Sequence, residues 1–316
     1  MHKVAPARTF SAVLRYRLTL GPLLILVVLG VFWLDELINR TPTPRALVGL
    51  LGGRETLPPG VALFVLAIAA SPLVALELCR ILRANDIRAS LRVTLFAVIS
   101  GLVVSCTIPS SLPGPVAVMI VSTAALIVLL ASLLQHSRNQ TVQGVVAAAG
   151  GTLLAFVYLG LLFGFLLAIR REHTAWLTLG VLLLTKSCDI GAFFTGTLLG
   201  RHKLIVWLSP GKTWEGLAGG LALATIVGVF GAWLTQRSAA EAPLALWQGA
   251  VLGVSLGLAG QMGDLAASLF KRDAGLKDSA RTLPGFGGLL DIIDSPLLAG
   301  PVAYWLLLLF TAGAAV

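Results

Sequence analysis

The sequence predicts an all-α, polytopic integral membrane bundle of about nine transmembrane helices. Three observations carry this. Of 316 residues, 57% are hydrophobic. Only 12% are charged, where a soluble domain carries about 25%. The apolar residues also fall into runs near the ~20 residues a helix needs to cross a bilayer, separated by charged or Pro/Gly-rich breaks.

The runs place spans at about 18–34, 61–78, 93–108, 115–134, 142–168, 174–194, 216–234, 245–265 and 295–316. The first follows Lys3, Arg8, Arg15 and Arg17 and could be mistaken for a signal peptide. Its length, the absence of a small-residue cleavage site and the stop at Asp35–Glu36 predict a retained anchor. With the N-terminus in the cytoplasm, sixteen of the 23 Lys and Arg fall on the cytoplasmic side and six opposite, with Lys186 inside a span. That asymmetry predicts nine spans with the C-terminus outside. The Arg170–Arg171 pair is the one local disagreement.

The chain divides into N-terminal transmembrane helices, 1–170, with few intramembrane polar groups, and a C-terminal transmembrane half, 171–316, that holds nearly everything chemically suggestive. We read these as halves of one membrane domain. Cys79, Cys106 and Cys188 lie far apart in apolar runs, as small core residues rather than a disulfide or metal set. The net charge of +9 sits at helix ends, where it sets orientation and touches anionic headgroups, so nucleic acid is excluded as a partner.

Five of the 14 acidic residues, Asp264, Asp273, Asp278, Asp291 and Asp294, fall within "GDLAASLFKRDAGLKDSARTLPGFGGLLDIID". Asp264, Ser268 and Lys271 are spaced i, i+4, i+7 and share one helical face. Asp291 and Asp294, spaced i, i+3, do the same on the next helix, so two helix ends can point carboxylates at a common point. Hard oxygen donors without a His/Cys set argue for Mg²⁺ rather than zinc, and Mg²⁺ in such sites holds substrate phosphates. Between the helices, Gly285, Gly287 and Gly288 permit positive φ and close backbone approach. Their exposed amides, beside Lys271, Arg272, Lys277 and Arg281, suit a polyphosphate. These are the parts of a phosphoryl or nucleotidyl transferase. A juxtamembrane basic loop can also be a mere topology signal. That reading does not account for Asp264 and Asp291 beside apolar spans, where an unpaired charge costs roughly 2.5 kcal/mol or more.

A second polar cluster, residues 185–216, begins with Lys186 and Asp189 at i, i+3, which could simply neutralise each other. Arg201, His202, Lys203, Ser209, Lys212 and Thr213 follow in what reads as a cytoplasmic loop, with His202 a surface histidine. "SPGKT" lacks the P-loop spacing and no strand is expected before it, so that motif is rejected.

Residues 261–295 resemble the signature of the phosphatidate cytidylyltransferases, S-x-x-K-R, four residues, K-D, then P-G-H-G-G-x-x-D-R-x-D. It is met by Ser268, Lys271, Arg272, Lys277, Asp278, Pro284, Gly285, Gly287, Gly288, Asp291 and Asp294. The segments "DIGAFFTGTLLGRHKL" and "LSPGKTWEG" are similar to that family too, so the resemblance spans about 185–300. Phe286 stands for the family's His, Ile292 for its Arg, and Ala267 for an acidic residue.

The resemblance implies an enzyme that transfers CMP from CTP to phosphatidate, giving CDP-diacylglycerol and pyrophosphate, with Mg²⁺ as cofactor. It implies Asp264, Asp291 and Asp294 as metal ligands, with Asp189 a weaker candidate. Lys212, Arg272, Lys277 and Asp278 would bind substrate with the glycine loop, and Ser268 and Lys271 would belong to the catalytic set. The attacking phosphate monoester is already anionic, so the reaction requires no general base and tolerates Phe286. It does require screening between anions. Membrane lipid is the surrounding partner, a homodimer is left open, and the expected location is a bacterial plasma membrane with the site facing the cytoplasm.

Three alternatives are weighed against this. A paralogue acting on another lipid phosphate would be separated by assaying a substrate panel. A non-catalytic lipid- or nucleotide-binding regulator draws support from the three apolar replacements, and the retained carboxylates and lysines argue against it. A transporter would place its polar cluster at the midplane of inverted repeats rather than at one interface.

Overall fold

The computed structural model describes residues 7–49, 53–108, 112–138, 140–238, 243–280, 282 and 285–312, with side chains from residue 19 onward except Leu47 and Ala312. In chain order the elements are α1 (Ala7–Asn39), the short α2 (Arg45–Val48), α3 (Val61–Ala84), α4 (Leu91–Thr107), α5 (Gly114–Ser137) and α6 (Val145–Leu154). A π-helical stretch (Ala155–Leu161) joins α6 to α7 (Leu162–Glu172). Then come α8 (Ala175–Leu198), β1 (Lys203–Ile205), β2 (Ser209–Thr213), α9 (Trp214–Arg237), α10 (Leu246–Asp273) and α11 (Leu290–Ala312).

Eight helical segments are long and apolar enough to cross a membrane, and the 17-residue α4 is a shorter apolar helix beside them. The nine correspond one for one to the expected runs, and the chain is an integral membrane protein. Most helices overrun the expected spans because the helical ladder continues into polar residues at the interface. Thus α1 runs past Asp35–Glu36 to Asn39, and α11 begins at Leu290, taking in Asp291 and Asp294. The last residues expected in the final span, 313–316, lie outside the described ones. Cys79, Cys106 and Cys188 are free and buried.

Without water in the bilayer core, helices associate through close packing and interhelical hydrogen bonds rather than the hydrophobic effect, and small residues at crossings serve that purpose. A Cβ on Gly228 would fall 2.1 Å from the carbonyl oxygen of Gly249, joining α9 to α10. A Cβ on Gly101 would fall 2.4 Å from that of Phe156, which lies in the π-helical stretch against α4. These crossings leave no room for even alanine.

The segment expected as a loop at 201–213 is instead an antiparallel hairpin, in which β1 pairs with β2 and Lys203 faces Thr213. A strand, β1, therefore does precede "SPGKT", which is itself β2, although the antiparallel hairpin is not the strand–loop–helix of a P-loop. Its physical basis is the exit into α9: Thr213 is extended, and its side chain accepts the N–H of Gly216 at 3.1 Å, capping the helix.

At the other end of the bundle Arg170, 2% exposed, donates to Asp35 at 2.5 Å and to Glu36 at 3.1 Å. Asp35 also accepts the N–H groups of Gly60, Ala62 and Leu63 at the start of α3. One of the two arginines that disagree with the charge asymmetry is thus neutralised inside the protein. Its neighbour Arg171 is satisfied by the carbonyl of Cys106.

Candidate active site

The C-terminal end of α10 and the N-terminal end of α11 form one wall of the site, and α8 and the hairpin form another. Gly260 and Gly263 set the closeness of the first wall. A Cβ at Gly263 would lie 2.4 Å from the carbonyl oxygen of Asp294, and one at Gly260 would lie 3.5 Å from both Ser295 and Thr185. Asp264 is thereby held beside the helix carrying Asp294, and Asp294 feels the charges of Asp264, Lys186 and Lys271.

Two lysine–carboxylate pairs organise the site. Lys212 of β2 places Nζ 2.8 Å from Asp264 Oδ2 and 2.9 Å from Gln261 Oε1. Lys271, 7% exposed, places Nζ 2.8 Å from Asp291 Oδ1. A third, more exposed pair, Lys186–Asp189 at 3.2 Å, is joined to the first through Gln261, which accepts from Lys212 and whose Nε2 donates to Asp189 Oδ1 at 3.0 Å. Asp189 also accepts a 3.4 Å hydrogen bond from Ser295. Ser268, half-buried between Asp264 and Lys271 on α10, makes no side-chain hydrogen bond among the described residues.

The glycine loop adopts the backbone its sequence permits. Gly285 and Gly287 have φ of 85° and 94°, in the left-handed region. Gly288 donates its N–H to Asp291 Oδ2 at 2.8 Å, and a Cβ there would fall 2.0 Å from Ser279 Oγ and 2.4 Å from Glu77 Oε2. The Phe286 ring is turned toward α1, where a Cβ on Gly21 would lie 3.6 Å from its tip. Ala267 is 1% exposed in the core. Arg272 is exposed and reaches the carbonyl of Leu276 at 3.4 Å, and Lys277 and Asp278 are exposed on the loop. Arg281 and Pro284 lie outside the described residues.

The residue that sequence reasoning missed is Glu77, in the apolar run of α3 and 3% exposed. It accepts hydrogen bonds from Ser279 Oγ (2.9 Å), Thr282 Oγ1 (3.0 Å), Leu289 N (2.8 Å) and Leu290 N (2.8 Å). The available signal was a lone carboxylate inside a membrane span, which is costly enough to need a partner or a task.

The carboxylates fall into two kinds. Glu77 and Asp291 are filled with donors: besides Lys271 and Gly288, Asp291 accepts from the N–H and the hydroxyl of Ser279, both at 3.0 Å. To bind a cation, Asp291 would exchange one of these. Asp264 and Asp294 lie on facing helices at the Gly263 crossing and are less filled: Asp264 Oδ2 pairs with Lys212, and Asp294 Oδ1 takes the N–H of Ser295 at 2.7 Å and its hydroxyl at 3.3 Å. No group of three or more His, Cys, Asp and Glu residues is placed to hold a metal ion among the described residues. A pair of carboxylates with open oxygen positions is, however, the donor set with which Mg²⁺ is held when water and substrate phosphates complete its shell.

Comparison with known proteins agrees with these features. A model of the cytidylyltransferase family matches residues 46–310. A phosphatidate cytidylyltransferase of Staphylococcus saprophyticus is 38% identical over 156 residues, covering 49% of this chain and 58% of that protein. One of Bacillus subtilis is 37% identical over 160 residues, covering 50% and 58%. One of Synechocystis is 42% identical over 125 residues, covering 39% and 40%. The chain thus spans about half the length of the curated relatives it matches.

Proposed function

This chain belongs to the cytidylyltransferase family, and we propose that it transfers CMP from CTP to phosphatidate, giving CDP-diacylglycerol and pyrophosphate. The observation that carries the proposal is the pairing of Lys212 with Asp264 and of Lys271 with Asp291 around Asp294, at the face where α10 meets α11.

In this reaction an oxygen of the phosphatidate monoester forms a bond to the α-phosphorus of CTP. The bond from that phosphorus to the oxygen bridging to the β-phosphate breaks, and pyrophosphate leaves with the electron pair. No proton is removed, so no His is needed where Phe286 stands. Two anions must approach, and their repulsion is the main obstacle.

Lys212 and Lys271 serve as cations already positioned and neutralised until substrate arrives. Each can pass from carboxylate to phosphate without stranding a buried charge, because Asp264 is partly exposed and Asp291 retains Ser279 and Gly288. Asp264 and Asp294 would hold Mg²⁺, with Asp291 and Asp189 as further candidates at the same face. Bound there, the ion supplies charge neutralisation on the phosphates of CTP. Ser268 is placed to hydrogen-bond a phosphate oxygen, and Arg272 and Lys277, with Asp278 between the loop and solvent, stand at the mouth for the departing pyrophosphate. The position of the site at helix ends suits a substrate with acyl chains in the leaflet and a partner in water. We place that face in the cytoplasm of a bacterial plasma membrane, supported by the charge asymmetry and the bacterial relatives.

The test is release of pyrophosphate by purified protein given CTP, phosphatidate and Mg²⁺, with Asp291→Asn as control. Turnover in the wild type that is lost in the variant is expected. A wild type that binds CTP and does not release pyrophosphate from it in the presence of phosphatidate would overturn the assignment.

A further inference from the structure

A cavity of about 310 Å³ opens beside the start of α4, enclosed by the α3–α4 turn, the last turns of α5 and the first turns of α6. None of its lining residues belongs to α8–α11 or to the lysine–carboxylate cluster. It does lie at the same face of the bundle, because Asn85 in the α3–α4 turn donates to Asp273 at the end of α10, at 2.6 Å.

Its chemistry is that of an anion site. The lining includes Arg88, Ser90, Gln135, His136, Ser132 and Thr152, and no carboxylate; Asp86, the only acid of the turn, is not part of it. His136 is 4% exposed, and its Nε2 has no hydrogen-bond partner among the described residues. A buried polar atom left unpaired costs about 1–3 kcal/mol. Arg88 makes no ion pair or hydrogen bond among the described residues. The α4 N-terminus adds to this: Ser90 is its N-cap, yet the side chain makes no capping hydrogen bond, so the first N–H groups of the helix lack a side-chain acceptor. A helix N-terminus with free N–H groups attracts anions. Arg83 fixes the geometry by donating twice to the carbonyl of Ala89, at 3.0 and 2.8 Å, which holds the turn against the cavity.

We propose that this cavity binds the phosphodiester headgroup of an anionic phospholipid, as a lipid site separate from the reacting centre. The cavity has the volume of about ten waters, room for a glycerophosphate group. Its flanks are aliphatic and exposed: Leu134 on α5 is 67% exposed and Val146 on α6 is 83% exposed. They offer acyl chains a surface next to the polar pocket, which a soluble phosphate would not use.

The test measures lipid retained by the delipidated full-length protein, by native mass spectrometry after exposure to phosphatidylglycerol or phosphatidylcholine. Phosphatidylglycerol is a diester and cannot serve as the phosphate monoester of the proposed reaction. We expect it to be retained about tenfold over phosphatidylcholine, and that preference to vanish in Arg88→Glu and Gln135→Glu. Arg88 is exposed and Gln135 half-buried, so neither change disrupts the core. Equal retention of the two lipids, or a preference unchanged in both variants, overturns the proposal. So does stabilisation of the wild type by inorganic phosphate, lost in Arg88→Glu, without any lipid preference, which would assign the cavity to a soluble anion.

Discussion

Glu77 accepts a 2.8 Å hydrogen bond from the N–H of Leu290, the first residue of α11, across 213 positions of sequence. The same carboxylate takes the Leu289 N–H and the Thr282 hydroxyl. It therefore caps α11 and closes the glycine loop onto α3 at once. Replacing it with glutamine keeps the shape but turns an NH₂ group toward donors. Glu77→Gln is expected to lower kcat at least tenfold with a smaller change in KM for CTP, and to cost about 1–3 kcal/mol of stability. Steady-state pyrophosphate release and thermal unfolding in detergent check both. Unchanged kcat would remove Glu77 from the architecture of the site.

Gly288 offers a steric test of the same loop. A Cβ there meets Ser279 Oγ at 2.0 Å and Glu77 Oε2 at 2.4 Å, and Ser279 is held from both sides by Glu77 and Asp291. Gly288→Ala cannot be absorbed by a rotamer change and must move the loop. Activity is expected to fall by two orders of magnitude or more, while far-ultraviolet circular dichroism stays that of the wild type. A fully active alanine variant would mean that the loop is not held closed during turnover.

The spans and the acidic–basic cluster were readable in the sequence because both depend on local spacing: apolar runs near twenty residues, and i, i+3, i+4 and i+7 positions on a helix. Positive φ at Gly285 and Gly287 followed from residue type. What escaped depends on contacts between distant positions. Neither the run around Glu77 nor that around Arg170 names a partner 135 or more residues away. The hairpin at 203–213 escaped because three- and five-residue strands leave too short an alternation to detect. That Asp291 also takes loop donors could not be read either, because it needs the positions of the Ser279 and Gly288 N–H groups.

The division between the two kinds of carboxylate makes a prediction about metal. Asp294 is 4% exposed beside Asp264, whereas Asp291 is filled by Lys271, Ser279 and Gly288. Chelation with EDTA is expected to abolish pyrophosphate release and excess Mg²⁺ to restore it. Asp294→Asn should raise the Mg²⁺ concentration for half-maximal rate by roughly tenfold or more, in line with changes near a metal site. Asp291→Asn should lose rate without recovery at high Mg²⁺. If Asp291→Asn is instead rescued by Mg²⁺, Asp291 is itself a ligand and leaves its loop donors on substrate binding.

The buried triad at the far end of the bundle makes the last prediction, one of stability rather than chemistry. Arg170 is 2% and Asp35 1% exposed, and Asp35 also caps α3 through Gly60, Ala62 and Leu63. Removing one member of a buried pair leaves the other charge uncompensated, which costs about 3–5 kcal/mol. Arg170→Met should lower the unfolding temperature sharply, since Asp35, fully buried, loses its only cation among the described residues, whereas Glu36 keeps Arg40 at 3.6 Å. Asp35→Asn alone should cost less than Arg170→Met, because Arg170 retains Glu36 at 3.1 Å and the His173 carbonyl at 2.8 Å. Combining the two should recover part of the loss, because the charge stranded on Asp35 is gone while Asn still accepts from the start of α3. Thermal unfolding of the three variants in detergent decides it. Additive losses in the double variant would show that Arg170 and Asp35 stabilise the bundle independently rather than as a pair.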